Sequence, residues 1–117
     1  MQFTKAAAGS ALAAAALVGS ATTAVAAPAE LYHVTAWHDV NIRSCEARSC
    51  PVVGHIEAGE RHIAYCWTDG ETISDFGITN NIWLMVSRQD GGRWLASAVY
   101  FQGDRYANLP ADAHCDY

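Results

Sequence analysis

The stretch Val40–Gly59, VNIRSCEARSCPVVGHIEAG, decides how this chain is read. Across Val40–Ser44 the apolar Val40 and Ile42 alternate with the polar Asn41 and Arg43, the period of a strand with one face on a core. Pro51 suits the first position of a second strand, where its missing N–H is harmless, and Val52–Ile56 continues that strand. Glu57-Ala58-Gly59-Glu60 turns the chain. Cys45 and Cys50 flank the polar connection between the two runs. The segment is therefore expected to be the opening hairpin of a small all-β domain.

Upstream, Met1–Ala26 has the build of a secretory signal peptide. Lys5 supplies the positive start, Ala6–Val18 the apolar centre, and Ala24-Val25-Ala26 the small-residue cleavage pattern. The competing reading is a retained anchor, since Ala6–Ala29 is uncharged and long enough to span. Its many Ala and Thr residues match an Leu/Ile-rich anchor poorly. Cleavage leaves one small domain with a leader over residues 27–33, where Pro28 bars early regular structure.

A domain of this size buries a modest core and commonly needs covalent help. The four cysteines, Cys45, Cys50, Cys66 and Cys115, read as two disulfides in an exported chain, with three pairings formally open. The favoured pairing is Cys45–Cys50 across the first loop and Cys66–Cys115 between the tail and a mid-domain strand. The cysteine and histidine spacings do not fit a zinc knuckle. Without Lys5, six arginines face twelve carboxylates and no lysine remains. So acidic a chain lacks the basic stripe of a nucleic-acid binder, and anionic membrane surfaces are disfavoured for the same reason.

Downstream, Arg61–Trp67 reads as one strand, with Ile63, Tyr65 and Trp67 on one face and His62, Ala64 and Cys66 on the other. Val34–Trp37 is a first strand candidate. Thr68–Asn81, TDGETISDFGITNN, reads as a long polar loop, either functional or a decorated hairpin with a short strand near Ile73 or Ile78. Ile82–Ser87 and Arg93–Ser97 flank Gln89-Asp90-Gly91-Gly92, a hairpin signal. Val99–Phe101 is expected as a last short strand, and residues 102–117 as an irregular tail held by Cys115.

In order and spacing these pieces resemble the bacterial SH3 domain. VNIRS and PVVGHIEAG stand where that family has an N-[VI]-R-S strand and a V-[VI]-G run, followed by the Arg61–Trp67 strand. Trp83–Val86 gives W-x-x-V, and GGRWLASAVY at Gly91–Tyr100 is similar to the family's closing strand. The resemblance spans Val34–Phe101 and is nearest to stand-alone secreted members with cysteines in the first loop and a disulfide-tethered tail. It implies an SH3-like barrel of five to six strands over residues 34–101, and recognition of cell-wall (peptidoglycan) peptides. Three departures are Ser44-Cys45-Glu46 in place of S-G-P, the absence of an attached hydrolase, and the elaborated 68–81 segment.

Catalytic motifs are thin. G-x-S-x-G, the P-loop and H-E-x-x-H are absent. A Cys–His hydrolase needs a free thiolate, and every cysteine has a plausible partner. Carboxylate pairs such as Asp69/Glu71 or Asp104/Asp112 arise by chance among twelve acids. His33 and His38, or His55 and His62 across adjacent strands, offer two imidazoles without a third metal ligand. The chain is therefore read as non-catalytic, with no cofactor and no metal, and as a monomer.

Aromatics are the better lead: four Trp and five Tyr is dense. Trp83 and Trp94 are expected to pack in the core, whereas Trp67 and Tyr100 are expected at half-exposed positions, with Trp37 and Tyr32 lining the same groove. Flat rings beside Asn41, Arg43 and Asp69 are the mix that peptide or glycan recognition uses, against the bland reading that the rings only cover a thin core. The expected ligand-binding set is Trp37, Asn41, Arg43, Trp67, Asp69 and Tyr100. The function expected is a secreted module for a short peptide or cell-wall fragment. The alternative is an extracellular protein-interaction, inhibitor or signalling protein using residues 68–81.

Overall fold

The computed structural model describes residues 31–87 and 92–116. The expected signal segment 1–26, most of the expected leader and the Gln89-Asp90-Gly91 part of the expected turn lie outside the described residues. Seven strands are described: β1 Tyr32–Thr35, β2 Val40–Arg43, β3 Val52–Ile56, β4 Arg61–Ala64, β5 Cys66–Asp75, β6 Ile78–Ser87 and β7 Trp94–Ser97. β1 and β4 pair antiparallel as one sheet, and the other five form a second in the order β3-β2-β7-β6-β5. The chain is thus all-β in two sheets. Their ladders do not close into a barrel, and the strand count exceeds the five or six expected.

The opening hairpin forms as read. Val40 pairs with Ile56 and Ile42 with Gly54, and Val40 and Ile42 are buried while Asn41 is exposed. β1 begins at Tyr32, inside the segment taken as leader.

Arg61–Trp67 is not one strand. β4 follows β1, but at Tyr65 the chain changes sheets: the Tyr65 N–H donates to Met85 O at 2.9 Å, and β5 then follows β6. The corner resets the alternation, so Ala64 and Trp67 are both buried. Of the two readings of 68–81, the decorated hairpin is the one that forms, with longer strands than the short one expected. β5 and β6 run as a hairpin to the Asp75–Ile78 pair, with a bulge between Asp69 and Ile73. Its polar composition reflects outward-facing positions, while Ile73 and Asn80 point inward and are buried.

Val99–Phe101 does not make the expected strand. Ser97 caps a 3-10 turn, Ala98–Tyr100, by accepting the Val99 N–H on its hydroxyl, and Phe101 then bridges Ala36 of the first strand region. A capping serine offers the backbone a turn that competes with ladder bonds.

β6 explains how so few residues make a core. Ile82–Val86 is a continuous apolar run buried on both faces. Ile82, Leu84 and Val86 join the main core with Val34, Ile42, Ile56, Phe101 and Leu109. Trp83 and Met85 point the other way, into a second cluster with Ile73, Leu95, Val99 and Cys115. The tail contributes too, burying Ala107 and Leu109 in the main core. Both disulfides form as favoured, Cys45–Cys50 and Cys66–Cys115. Two bridges fit an oxidising compartment. No helix among the described residues is long and apolar enough to cross a membrane.

Candidate functional site

The second apolar cluster is the floor of a cleft. Val40, Ile73, Trp83 and Ser97 lie beneath it. His38, Asp39, Asn41, Arg43, Arg48, Asp75 and Tyr100 complete the lining, around a cavity of about 120 Å³. For scale, a dry cavity of about 150 Å³ holds benzene, so the space here suits one side-chain-sized group.

The first disulfide loop forms one wall, and the β5 bulge receives it. Glu71 N–H donates to Glu46 O at 3.0 Å, Arg48 N–H donates to the Glu71 carboxylate at 2.5 Å, and Arg93 pairs with Glu46 at 3.3 Å. Gly70 permits the approach. A Cβ there would stand 2.6 Å from both the Cβ and the carbonyl oxygen of Glu46, and 2.7 Å from Trp83 Cδ1. Arg43 Nη1 donates to Cys50 O at 3.1 Å and ties the far end of the loop to β2. Gly70→Ala should therefore expel the Cys45–Cys50 loop at a cost of about 1–3 kcal/mol, the usual range for overpacking. The check is limited trypsin digestion on a reducing gel: the variant should be cut after Arg48 faster than wild type, and equal rates would refute the docking.

The hairpin tip forms the other wall. Phe76 and Gly77 occupy the two turn positions at φ 53° and 76°, the pattern of a type I′ turn. Gly77 adopts this freely; a bulky Phe does not. Yet Phe76 is 56% exposed, so no burial in the core accounts for it. Its ring meets Trp37 edge-on at 5.3 Å and tilts against His38 at 4.6 Å, while His38 lies 5.8 Å from Tyr100. Trp37 is anchored by its indole N–H donating to Val99 O at 2.9 Å. Of these rings His38 and Tyr100 line the cleft, and Phe76 and Trp37 stand next to it against His38.

Tyr100 lines the cleft together with Asp75 and Arg48. Its hydroxyl donates to Asp75 Oδ2 at 2.7 Å. Burial raises its pKa above the ordinary tyrosine value, the hydrogen bond to Asp75 and that carboxylate's charge add to the rise, and the Arg48 guanidinium opposes them. The folded state therefore holds the phenolic proton more tightly than the unfolded chain. The resulting stabilisation is complete below about pH 10 and is lost as pH rises through the folded pKa. An ultraviolet titration should show Tyr100 ionising above the ordinary tyrosine range, and Asp75→Asn should bring it part of the way back.

Of the six residues expected to bind, Asn41, Arg43 and Tyr100 line this cleft and Trp37 joins it through His38. Trp67 and Asp69 do not. Trp67 is buried rather than half exposed, with its ring 4.6 Å from Tyr106 and 4.5 Å from His114. Asp69 accepts from Asn81 at 3.1 Å and lies 3.7 Å from His114. Both belong to the seam between β5 and the tail. Tyr32 packs against the main core and does not line the cleft. His55 and His62 stand on different sheets and do not face each other. Sequence reading missed His38, Arg48, Asp75 and Phe76. The signal for Phe76 was present, since D-F-G-I between alternating runs is a two-residue turn with one unsuitable residue.

No family model, no curated protein and no solved structure matches this chain.

Proposed function

We propose that the chain is a secreted, non-catalytic, SH3-like binding module that holds a short peptide, of the kind found in cell walls, in the cleft between the disulfide loop and the β5–β6 hairpin. The observation that carries the reading is Phe76: a large apolar ring kept in solvent, at a backbone angle that opposes it, beside a small polar cavity. Strained residues of this kind cluster at ligand clamps. All four cysteines are paired, so none offers a thiolate. The contact of Ala36 with Phe101 brings the two ends of the strand region together, as a small barrel requires, and supports the SH3-like reading. The apolar segment Ala6–Val18 and the two bridges support export.

Phe76→Asn tests the reading. Asn accepts positive φ, and Asn-Gly is the preferred pair for this turn, so the variant should gain about 0.5–1 kcal/mol of stability. Retention of the domain on purified cell wall should fall at the same time. A variant that is stabilised and still retained would remove Phe76 from the site.

A second reading rests on the same hairpin. Phe76 and Ile78 are both exposed at its tip, which suits an inhibitor or signalling protein that grips an extracellular partner. Absence of wall retention, with one protein recovered stoichiometrically from culture supernatant, would favour it.

A further inference from the structure

The charges around the cleft are balanced and kept apart. Asp39 and Asp75 carry two negative charges, Arg43 and Arg48 two positive ones, and all four line one cavity of about 120 Å³. Among the described residues none of them forms an ion pair with another; the ion pairs found are Arg93–Glu46 and His114–Asp69. Three of them are instead held by a neutral neighbour. Asp39 accepts the Ala58 N–H at 2.8 Å, Asp75 accepts the Tyr100 hydroxyl at 2.7 Å, and Arg43 donates to Cys50 O at 3.1 Å. Arg48 lines the same cavity as Asp75 and Tyr100.

A site with no net charge does not select an ion of one sign. An isolated cation would meet two guanidiniums, and an isolated anion two carboxylates. What such a site favours is a guest that carries both charges a few ångströms apart, because each end then meets its opposite in a partly desolvated setting. A carboxylate also matches the planar fork of Arg48.

We infer that the cleft recognises a zwitterionic α-amino-acid head group, an ammonium and a carboxylate presented together, with Asp75 receiving the ammonium and Arg48 the carboxylate. The inference rests on the binding-module reading and narrows its ligand to a guest with a free amino-acid head group, either a single amino acid or a peptide residue joined through its side chain. Arg43, one of whose donors is committed to the loop carbonyl, and Asp39, committed to the β3–β4 turn, shape the field from the flanks. Phe76 and Trp37 cover the apolar part of the guest. The cavity volume limits that part to one small side chain.

The test is calorimetric titration of the full mature protein with alanine, N-acetylalanine and alanine amide. Free alanine should bind, and blocking either end should weaken binding about tenfold or more, the worth of one charge-assisted contact. Arg48→Gln should bind alanine and its amide equally; Asp75→Asn, which keeps an acceptor for Tyr100, should bind alanine and its N-acetyl form equally. Thermal melts of both variants serve as fold controls. Undetectable binding of free alanine at millimolar concentration, or indifference to both blocking groups, overturns the inference. Retention on cell wall that survives Arg48→Gln and Asp75→Asn, but not Phe76→Asn, would leave the binding module standing and remove only the head-group assignment.

Discussion

Replacing Cys66 and Cys115 together by alanine should lower the unfolding free energy by about 4 kcal/mol, the value that chain entropy assigns to a ring of this length. The bridge spans 49 residues and so restrains more than half of the described chain in the unfolded state. Removing Cys45–Cys50, which spans 5 residues, should cost only about 2 kcal/mol. For a domain of this size the larger loss corresponds to roughly 15–30 °C in melting temperature. The second apolar cluster adds to the effect, because Cys115 is a buried member of it beside Met85, Leu95 and Val99. Urea denaturation of the two double-alanine variants measures the difference. Equal losses from both would show that the tail is held by its noncovalent contacts, Ala107 and Leu109 in the core and the hydrogen bonds to Trp67, rather than by the bridge. The consequence for function is asymmetric. The long bridge secures the fold, whereas the short one secures the cleft wall that carries Arg48.

What could be read from the sequence follows which interactions are local. Val40–Ile56 was legible because alternation, Pro51 and Gly59 all act within a few residues, and the observed register agrees. The cysteine pairing was legible because one pair is close in sequence and the other two cysteines were left for each other. The break at Tyr65 was not legible. Its cause is a hydrogen bond to Met85, a partner twenty residues away, and the apolar pattern runs through the corner unchanged. The 68–81 hairpin was legible only as one of two readings, because of its polarity. Half of it faces solvent, and its buried residues, Thr68, Ile73 and Asn80, are too few to give a period. The cleft was half visible: Asn41, Arg43 and Tyr100 lie on predicted strands or beside them. Asp75 reaches it from the tip of the β5–β6 hairpin. Arg48 reaches it only because the disulfide loop docks on the β5 bulge, a contact that depends on one glycine with no motif around it.

Trp67→Ala separates the binding residues from the structural ones. It was a leading candidate for stacking on a ligand, and its surroundings assign it a different task. The ring is 9% exposed, packs against Tyr106 and His114, and donates its indole N–H to Pro110 O at 3.0 Å. Its backbone holds the tail as well, with its N–H donating to Ala113 O and its carbonyl accepting the Cys115 N–H at 2.7 Å. Truncation should therefore cost about 3–5 kcal/mol, as for other buried aromatic rings. Trp67→Phe, which loses the indole donor but keeps much of the packing, should cost about 1–2 kcal/mol. Because Trp67 and Cys115 are in direct contact, Trp67→Ala combined with the loss of the long bridge should destabilise by less than the sum of the two. Binding by the folded fraction should be unchanged, since no atom of Trp67 lines the cleft. A Trp67→Ala protein with wild-type stability and no wall retention would move the site to the β5–tail seam, and the exposed ring of Phe76 would then need another explanation.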